Sequence, residues 1–141
     1  RRFDTKGQPQ GGMPEASSSS KDSIGHEPFR AVDGIRTLES SWWAKPYPAM
    51  WQMDLGEPKR LRGVHVWPYW GSRYYQYTVE VSTDGKDWQQ VVDMSKNTTR
   101  STPEGDRFEF ESTDVRYVRV NMLYHTRNTG VHLVEVEVIE E

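Results

Sequence analysis

The sequence predicts an all-β fold, an antiparallel β-sandwich, and three observations carry that prediction. The first is composition: among 141 residues there are 14 Val and 17 aromatic residues against 5 Leu and 4 Ala. Side chains that suit a pleated, half-buried surface therefore outnumber strong helix formers. The second is periodicity, because apolar residues recur at every second position in segment after segment, and no stretch has a convincing period of 3.6. The third is punctuation: turn-forming clusters separate these segments at the short spacing of a sandwich. A chain of this length makes one domain with its own core, burying ~70% of the surface of the extended chain.

In chain order, residues 1–14 hold Gly7, Pro9, Gly11, Gly12 and Pro14 without periodicity. They read as a linker or flexible lead-in, with the domain over 15–141. Residues 15–20 read as a first edge strand. From Met50, the side chains of Trp51, Met53 and Leu55 share one face while Gln52 and Asp54 take the other, so Trp51 is a core residue. Gly56-Glu57-Pro58 closes that strand. Five further strands follow, marked by Val64 and Val66, by Tyr75, Tyr77, Val79 and Val81, by Phe108 and Phe110, by Val118, Val120 and Met122, and by Val134, Val136 and Val138. Thr83-Asp84-Gly85 makes a hairpin turn that returns Trp88 to the sheet as a second core tryptophan, and Pro103-Glu104-Gly105-Asp106 turns into the Phe108 strand. The same alternation points Glu135 away from the core.

Several function classes are disfavoured. The formal net charge is −3 with no basic block, so a nucleic-acid partner lacks an electrostatic source of affinity. Cys is absent, which removes disulfides, thiolate zinc sites and cysteine nucleophiles while leaving the redox compartment open. No apolar run approaches the ~18 residues of a membrane span. Because the chain opens on Arg1, it reads as a piece of a longer protein. Nucleophile-elbow, zincin and phosphate-loop patterns are missing. His26, His65, His125 and His132 are too scattered to form a metal motif, and most acids fall where a solvated face is expected. The expectation is a domain without catalysis of its own.

The informative feature is a surplus of rings in segments that read as loops. One is Trp42-Trp43-Ala44-Lys45-Pro46-Tyr47-Pro48, and another runs from Trp67 through Pro68, Tyr69, Trp70, Gly71, Ser72 and Arg73 to Tyr74 and Tyr75. With Val64 and Val66 facing in, Trp67 should face out, and Pro68 and Gly71 mark irregular backbone carrying Tyr69 and Trp70 toward solvent. A third loop, Tyr124-His125-Thr126-Arg127-Asn128-Thr129-Gly130, adds polar donors. Sugars match this mixture, since a pyranose packs its C–H face on a ring while its hydroxyls take directional hydrogen bonds. The expected oligo- or polysaccharide site is Trp43, Tyr47, Trp67, Tyr69, Trp70 and Tyr74 as rings, with Trp70 or Tyr69 as platform. Arg73, Arg127 and Asn128 would be the hydrogen-bonding groups, with His125 at the edge.

Five blocks then stand in order: Ala31-Val32-Asp33-Gly34; Trp51-Gln52-Met53-Asp54-Leu55-Gly56; Tyr77 through Trp88; Arg116-Tyr117-Val118-Arg119-Val120; and Val134-Glu135-Val136-Glu137-Val138. Together they resemble the signature of coagulation-factor type-C (discoidin) domains, most like the bacterial carbohydrate-binding modules of family 32, over about residues 16–139. The resemblance implies a jelly-roll sandwich of about eight strands with ligand bound in loops at one end, here Trp67–Tyr74 and Tyr124–Asn128. It also implies a structural Ca²⁺ held by the Asp33 carboxylate, backbone oxygens near Arg30 and Ile35, Thr37 or Ser40, and Glu135, all hard oxygen donors. Arg36 departs from the family pattern, and the alternative is a metal-free loop in which Arg36 pairs with Asp33 or Glu135. The galactose-binding His/Arg/Asn set is not reproduced at fixed spacing.

The resemblance further implies a monomeric, non-catalytic module, covalently linked to a polysaccharide-degrading catalytic domain in a secreted or cell-surface bacterial protein. A discoidin-type adhesion or phospholipid-binding module is the competing reading. Its membrane spikes would favour Leu, Phe and Met beside Lys, whereas these loops offer Trp and Tyr beside Arg, Asn and His. A small carbohydrate-active enzyme is the third, and no activated acid pair can be named for it.

Overall fold

A computed structural model describes residues 14–18 and 24–141. Most of the expected lead-in, and the last two residues of the expected edge strand, lie outside them. The described residues hold seven strands: β1 (Glu15–Ser18), β2 (Trp42–Ala44), β3 (Ala49–Pro68), β4 (Tyr75–Ser82), β5 (Gln89–Met94), β6 (Asp106–His125) and β7 (Val131–Glu140), with one 3-10 turn at Pro28–Ala31. All pairings are antiparallel. The strand order is β2-β7-β3-β6-β4-β5, and β1 adds to β3.

Two strands run 20 residues each, where alternation had suggested pairs of shorter ones. The first part of β3, Ala49–Asp54, pairs with Tyr117–Met122 of β6, while Gly63–Val66 pairs with Asp106–Glu109, and the register shifts between Asp54 and Lys59 and again between Leu61 and Gly63. Gly56-Glu57-Pro58 is therefore a bend within a continuous strand rather than a turn between two. Gly56 takes a positive φ of 88° there, a conformation that costs glycine nothing. The bends divide the ladder into two layers. One holds β1, the first half of β3, the second half of β6, β4 and β5; the other holds β2, β7 and the remaining halves of β3 and β6.

Trp42, Trp51, Met53, Leu61, Tyr77, Met122 and Leu133 fill the core, each apolar side chain worth about 1.5–3 kcal/mol in burial. Trp51 is wholly buried as expected, and its indole N–H donates to the Pro28 carbonyl at 3.0 Å, fastening the 3-10 turn to the sheet. Trp88 corrects the expectation, for it is only half-buried and lies on the guanidinium of Arg119 at 3.8 Å. A register shift in the β4–β5 ladder is the cause: Val79 pairs with Val92 but Glu80 with Gln90, so Val91 is an extra residue. The bulge exchanges faces, placing Trp88 and Gln90 outward while Val92 points in.

Candidate functional site

Strand register gathers four connections at one end of the sandwich. Ala44 pairs with Val131, Pro68 with Leu133, Tyr75 with His125, Ala49 with Met122 and Tyr77 with Met94. The β2–β3, β3–β4, β5–β6 and β6–β7 connections therefore emerge together, including both loops expected to form the site. They are laced to one another. Tyr74 N–H donates to Thr126 Oγ1 at 3.1 Å, Arg127 Nη1 to the Ser72 carbonyl at 3.3 Å and Ser101 Oγ to the Tyr69 carbonyl at 2.7 Å. The Tyr47 amide donates to the Thr129 carbonyl at 2.9 Å.

Between the β2–β3 and β6–β7 connections lies a cleft of about 330 Å³, lined by Trp43, Lys45, Asn128, Thr129, Gly130 and His132. Trp43 is held from several sides: His26 stacks on it at 3.7 Å, and His132 and Tyr69 meet it edge-on at 5.4 and 6.1 Å. Asn128 Oδ1 accepts the Gly130 N–H at 2.8 Å, which orients its amide N–H groups as donors. The cleft thus combines a fixed indole, an amide, a hydroxyl and an ammonium, a set suited to binding a small polar ring.

Beneath it His132 Nδ1 shares a 2.6 Å hydrogen bond with the Tyr75 hydroxyl, and His125 stacks on Tyr75 at 4.4 Å. Burial, reinforced by the charge of Arg73, keeps both imidazoles neutral: His125 is shifted below its ordinary value and His132 down to about 3. Burial also pushes the Tyr75 hydroxyl up, so it stays a phenol.

Of the expected site residues, Trp43, Tyr47, Tyr69, Trp70, Arg73 and Tyr74 are half-exposed at this end, and Arg127 and Asn128 are exposed. Arg73 lies over Tyr69 at 4.9 Å, and Tyr47 and Tyr74 both pack on Tyr124. Trp70 stacks on no other ring among the described residues. Two expectations are corrected. His125 is 2% exposed and its Nδ1 is bound to the Gly130 carbonyl at 3.0 Å, so it supports the loop from below rather than edging the site. Trp67 is 3% exposed, stacked on His65 at 3.7 Å, and donates its indole N–H to the Pro103 carbonyl at 3.1 Å.

The alternation had Trp67 on the correct face. What it could not indicate is that the 102–105 connection roofs that face. Lys45, Thr129 and His132 were the missed side chains of the cleft. Lys45 stood within the aromatic segment already singled out, and His132 is set opposite Trp43 by the β2–β7 register.

The same outer face holds the segment that resembles a calcium site. Glu135, opposite Trp67 across the β3–β7 ladder, is fully buried rather than solvated, because the loop after Val32 covers it and Gly34 N–H donates to its Oε2 at 3.2 Å. Asp33 accepts from the Ile35 amide at 2.8 Å and closely from the Ser40 hydroxyl. Desolvation pushes its carboxyl above the ordinary range despite those bonds. The Arg36 guanidinium lies over the Trp67 ring at 4.8 Å. Two desolvated carboxylates, a hydroxyl and adjacent backbone carbonyls fit a hard cation such as Ca²⁺. Arg30, Ile35 and Thr37 would contribute through carbonyl oxygens.

A two-layer sandwich with long bent strands and a ring-lined cleft among its end loops defines a discoidin-type β-sandwich. The chain belongs to the F5/8 type C domain family, which it matches over residues 15–136. In Drosophila melanogaster, BTB/POZ domain-containing protein 9 is 34% identical over 85 residues, 59% of this chain, and the matched part is 11% of that protein's length. Chitosan-binding module 1 of a chitosanase/glucanase from Paenibacillus sp. IK-5 superposes with a TM-score of 0.72 at 27% identity, covering 88% of this chain and 92% of that one. A family 32 carbohydrate-binding module of AlyQ, solved with 4,5-unsaturated mannuronic acid, superposes with a TM-score of 0.73 at 22% identity, covering 90% and 95%.

Proposed function

We propose that this domain is a non-catalytic carbohydrate-binding module that attaches a larger polysaccharide-degrading protein to its glycan, outside the cell. The observation that carries the reading is the cleft itself, in which Trp43 supplies a rigid apolar wall and Asn128, Thr129 and Lys45 supply directional donors. Neighbours of the same fold named for chitosan and for unsaturated mannuronic acid support the ligand class. Those two ligands bear opposite charge, so they support carbohydrate without selecting its charge. Against a membrane-spike reading, the large hydrophobic residues exposed among the described residues are Ile24 and Ile35, and neither lies in the end loops. A structural Ca²⁺ between Asp33 and Glu135 is part of the same proposal, its role being to fix the loop that roofs β7.

A glycan array followed by calorimetry tests the reading. A small sugar in so open a cleft should bind with a dissociation constant on the order of 0.01–1 mM. Trp43→Ala should weaken it by about 1–3 kcal/mol with the fold intact. Full retention of affinity in that variant, or a sugar mapped to the hollow of about 360 Å³ on the outer face around Thr78, Glu80 and Asn121, would move the site elsewhere.

A further inference from the structure

The loop end of the sandwich is biased toward positive charge. The whole chain has 18 Lys and Arg against 21 Asp and Glu. The four connections that build this end, 45–48, 69–74, 95–105 and 126–130, nevertheless contain Lys45, Arg73, Lys96, Arg100 and Arg127 against a single acid, Glu104. Lys96 has a neighbouring acid in Asp93, whose carboxyl is held low first by Ser95 and then by the lysine. The other four cations make no ion pair among the described residues, whose pairs involve Arg30, Arg60, Arg62, Arg107 and Arg116. Glu27, beside the His26 that stacks on Trp43, is already matched by Arg30 at 3.6 Å.

Lys45 and Asn128 line the cleft, and Arg127, the residue before Asn128, is exposed and places one of its guanidinium nitrogens on the Ser72 carbonyl. A site of one sign, rimmed by rings and open to solvent, raises the local concentration of ligands of the other sign. We infer that the cleft takes an acidic glycan, its uronate carboxylates lying against Lys45 and Arg127 while a sugar ring rests on Trp43. This rests on the carbohydrate reading above and adds the charge of the ligand. Neutral sugars would leave the cations uncompensated, and amino sugars such as those of chitosan would be repelled. Anionic lipid surfaces share the charge, and the experiment below separates them from polyuronates.

Affinity electrophoresis of the whole chain in gels containing polygalacturonate, alginate, glycol chitosan or neutral galactan reads the inference directly. The expected result is retardation by the two polyuronates alone, weakened by raising NaCl from 0.05 to about 0.5 M as screening shortens. Lys45→Gln with Arg127→Gln should lose about tenfold in affinity with its unfolding midpoint near wild type, and Trp43→Ala a similar factor with a lowered midpoint but a folded domain by circular dichroism. Preferential retardation by galactan or glycol chitosan would overturn the acidic-ligand inference while leaving a carbohydrate module standing. Retardation by none of the four polymers would remove both. Loss in the charge variant with none in Trp43→Ala would reveal bare polyanion attraction without a sugar seat, and binding to phosphatidylserine vesicles in place of polyuronate would reveal a membrane partner; either overturns it.

Discussion

Asp33 shows how burial decides what a residue contributes. Its carboxyl is pushed up by desolvation, against the lowering influence of the Ser40 hydroxyl and the Ile35 amide. A carboxyl with a raised native value adds stability only while protonated, and that stability is lost as pH rises through the native value. At neutral pH the ionised Asp33 is therefore a cost, and a cation bound beside it and Glu135 would reverse the sign. Millimolar Ca²⁺ should raise the thermal midpoint of metal-stripped protein above that in chelator. Asp33→Asn should abolish this difference yet unfold in chelator no lower than wild type, since an amide can still accept from Ile35 and donate to Ser40. Equal wild-type midpoints with and without Ca²⁺ would dispose of the metal.

Among the elements, the connection before β6 does more than turn the chain. Gly105 has a φ of 70°, and a Cβ there would sit 2.6 Å from the Trp67 ring, so the roof over Trp67 exists because residue 105 has no side chain. Gly105→Ala should destabilise by about 1–3 kcal/mol, from left-handed strain plus the collision, and should raise Trp67 fluorescence accessibility to a soluble quencher. A variant as stable as wild type, with Trp67 still shielded, would mean the loop can relax without cost. The same element shows what the sequence could and could not disclose. Alternation correctly assigned the faces of Val64, Val66, Tyr77, Val79, Val118 and Val120, because each is set by neighbours one or two residues away. It missed the burial of Trp67 and Glu135, which depends on loops distant in sequence folding over the outer layer. It missed the orientation of Trp88 because the bulge at Val91 leaves no local mark. The loop end was legible from its rings and polar residues, but the cleft's pairing of Trp43 with His132 required the β2–β7 register.

For the molecule as a whole, the histidines under the cleft make stability depend on pH. His132 is held at about 3, first by burial and then by the proximity of His125, Arg73 and His26; His125 is lowered by burial and then by Arg73. An unfolded histidine takes up a proton near pH 6.5. Between there and about pH 3 the unfolded state binds a proton at residue 132 that the native state refuses, so stability is full above this window and falls as pH drops through it. Each such site costs up to about 1.4 kcal/mol per pH unit. The Asp54–Arg116 pair, at 2.9 Å, behaves differently. Its carboxyl is held low by Arg116, so its contribution is lost only below the ordinary carboxylate range. Acid loss between pH 6.5 and 4.5 should therefore come chiefly from the two histidines. His132→Asn retains an acceptor near the position of Nδ1 for the Tyr75 hydroxyl and removes the titration. Its denaturant-derived stability should fall less steeply over that interval, by about one proton's worth of slope, while the wild type loosens the end that carries the cleft. A slope identical to wild type would show that His132 protonates in the native state and that the support beneath Trp43 does not depend on its neutrality.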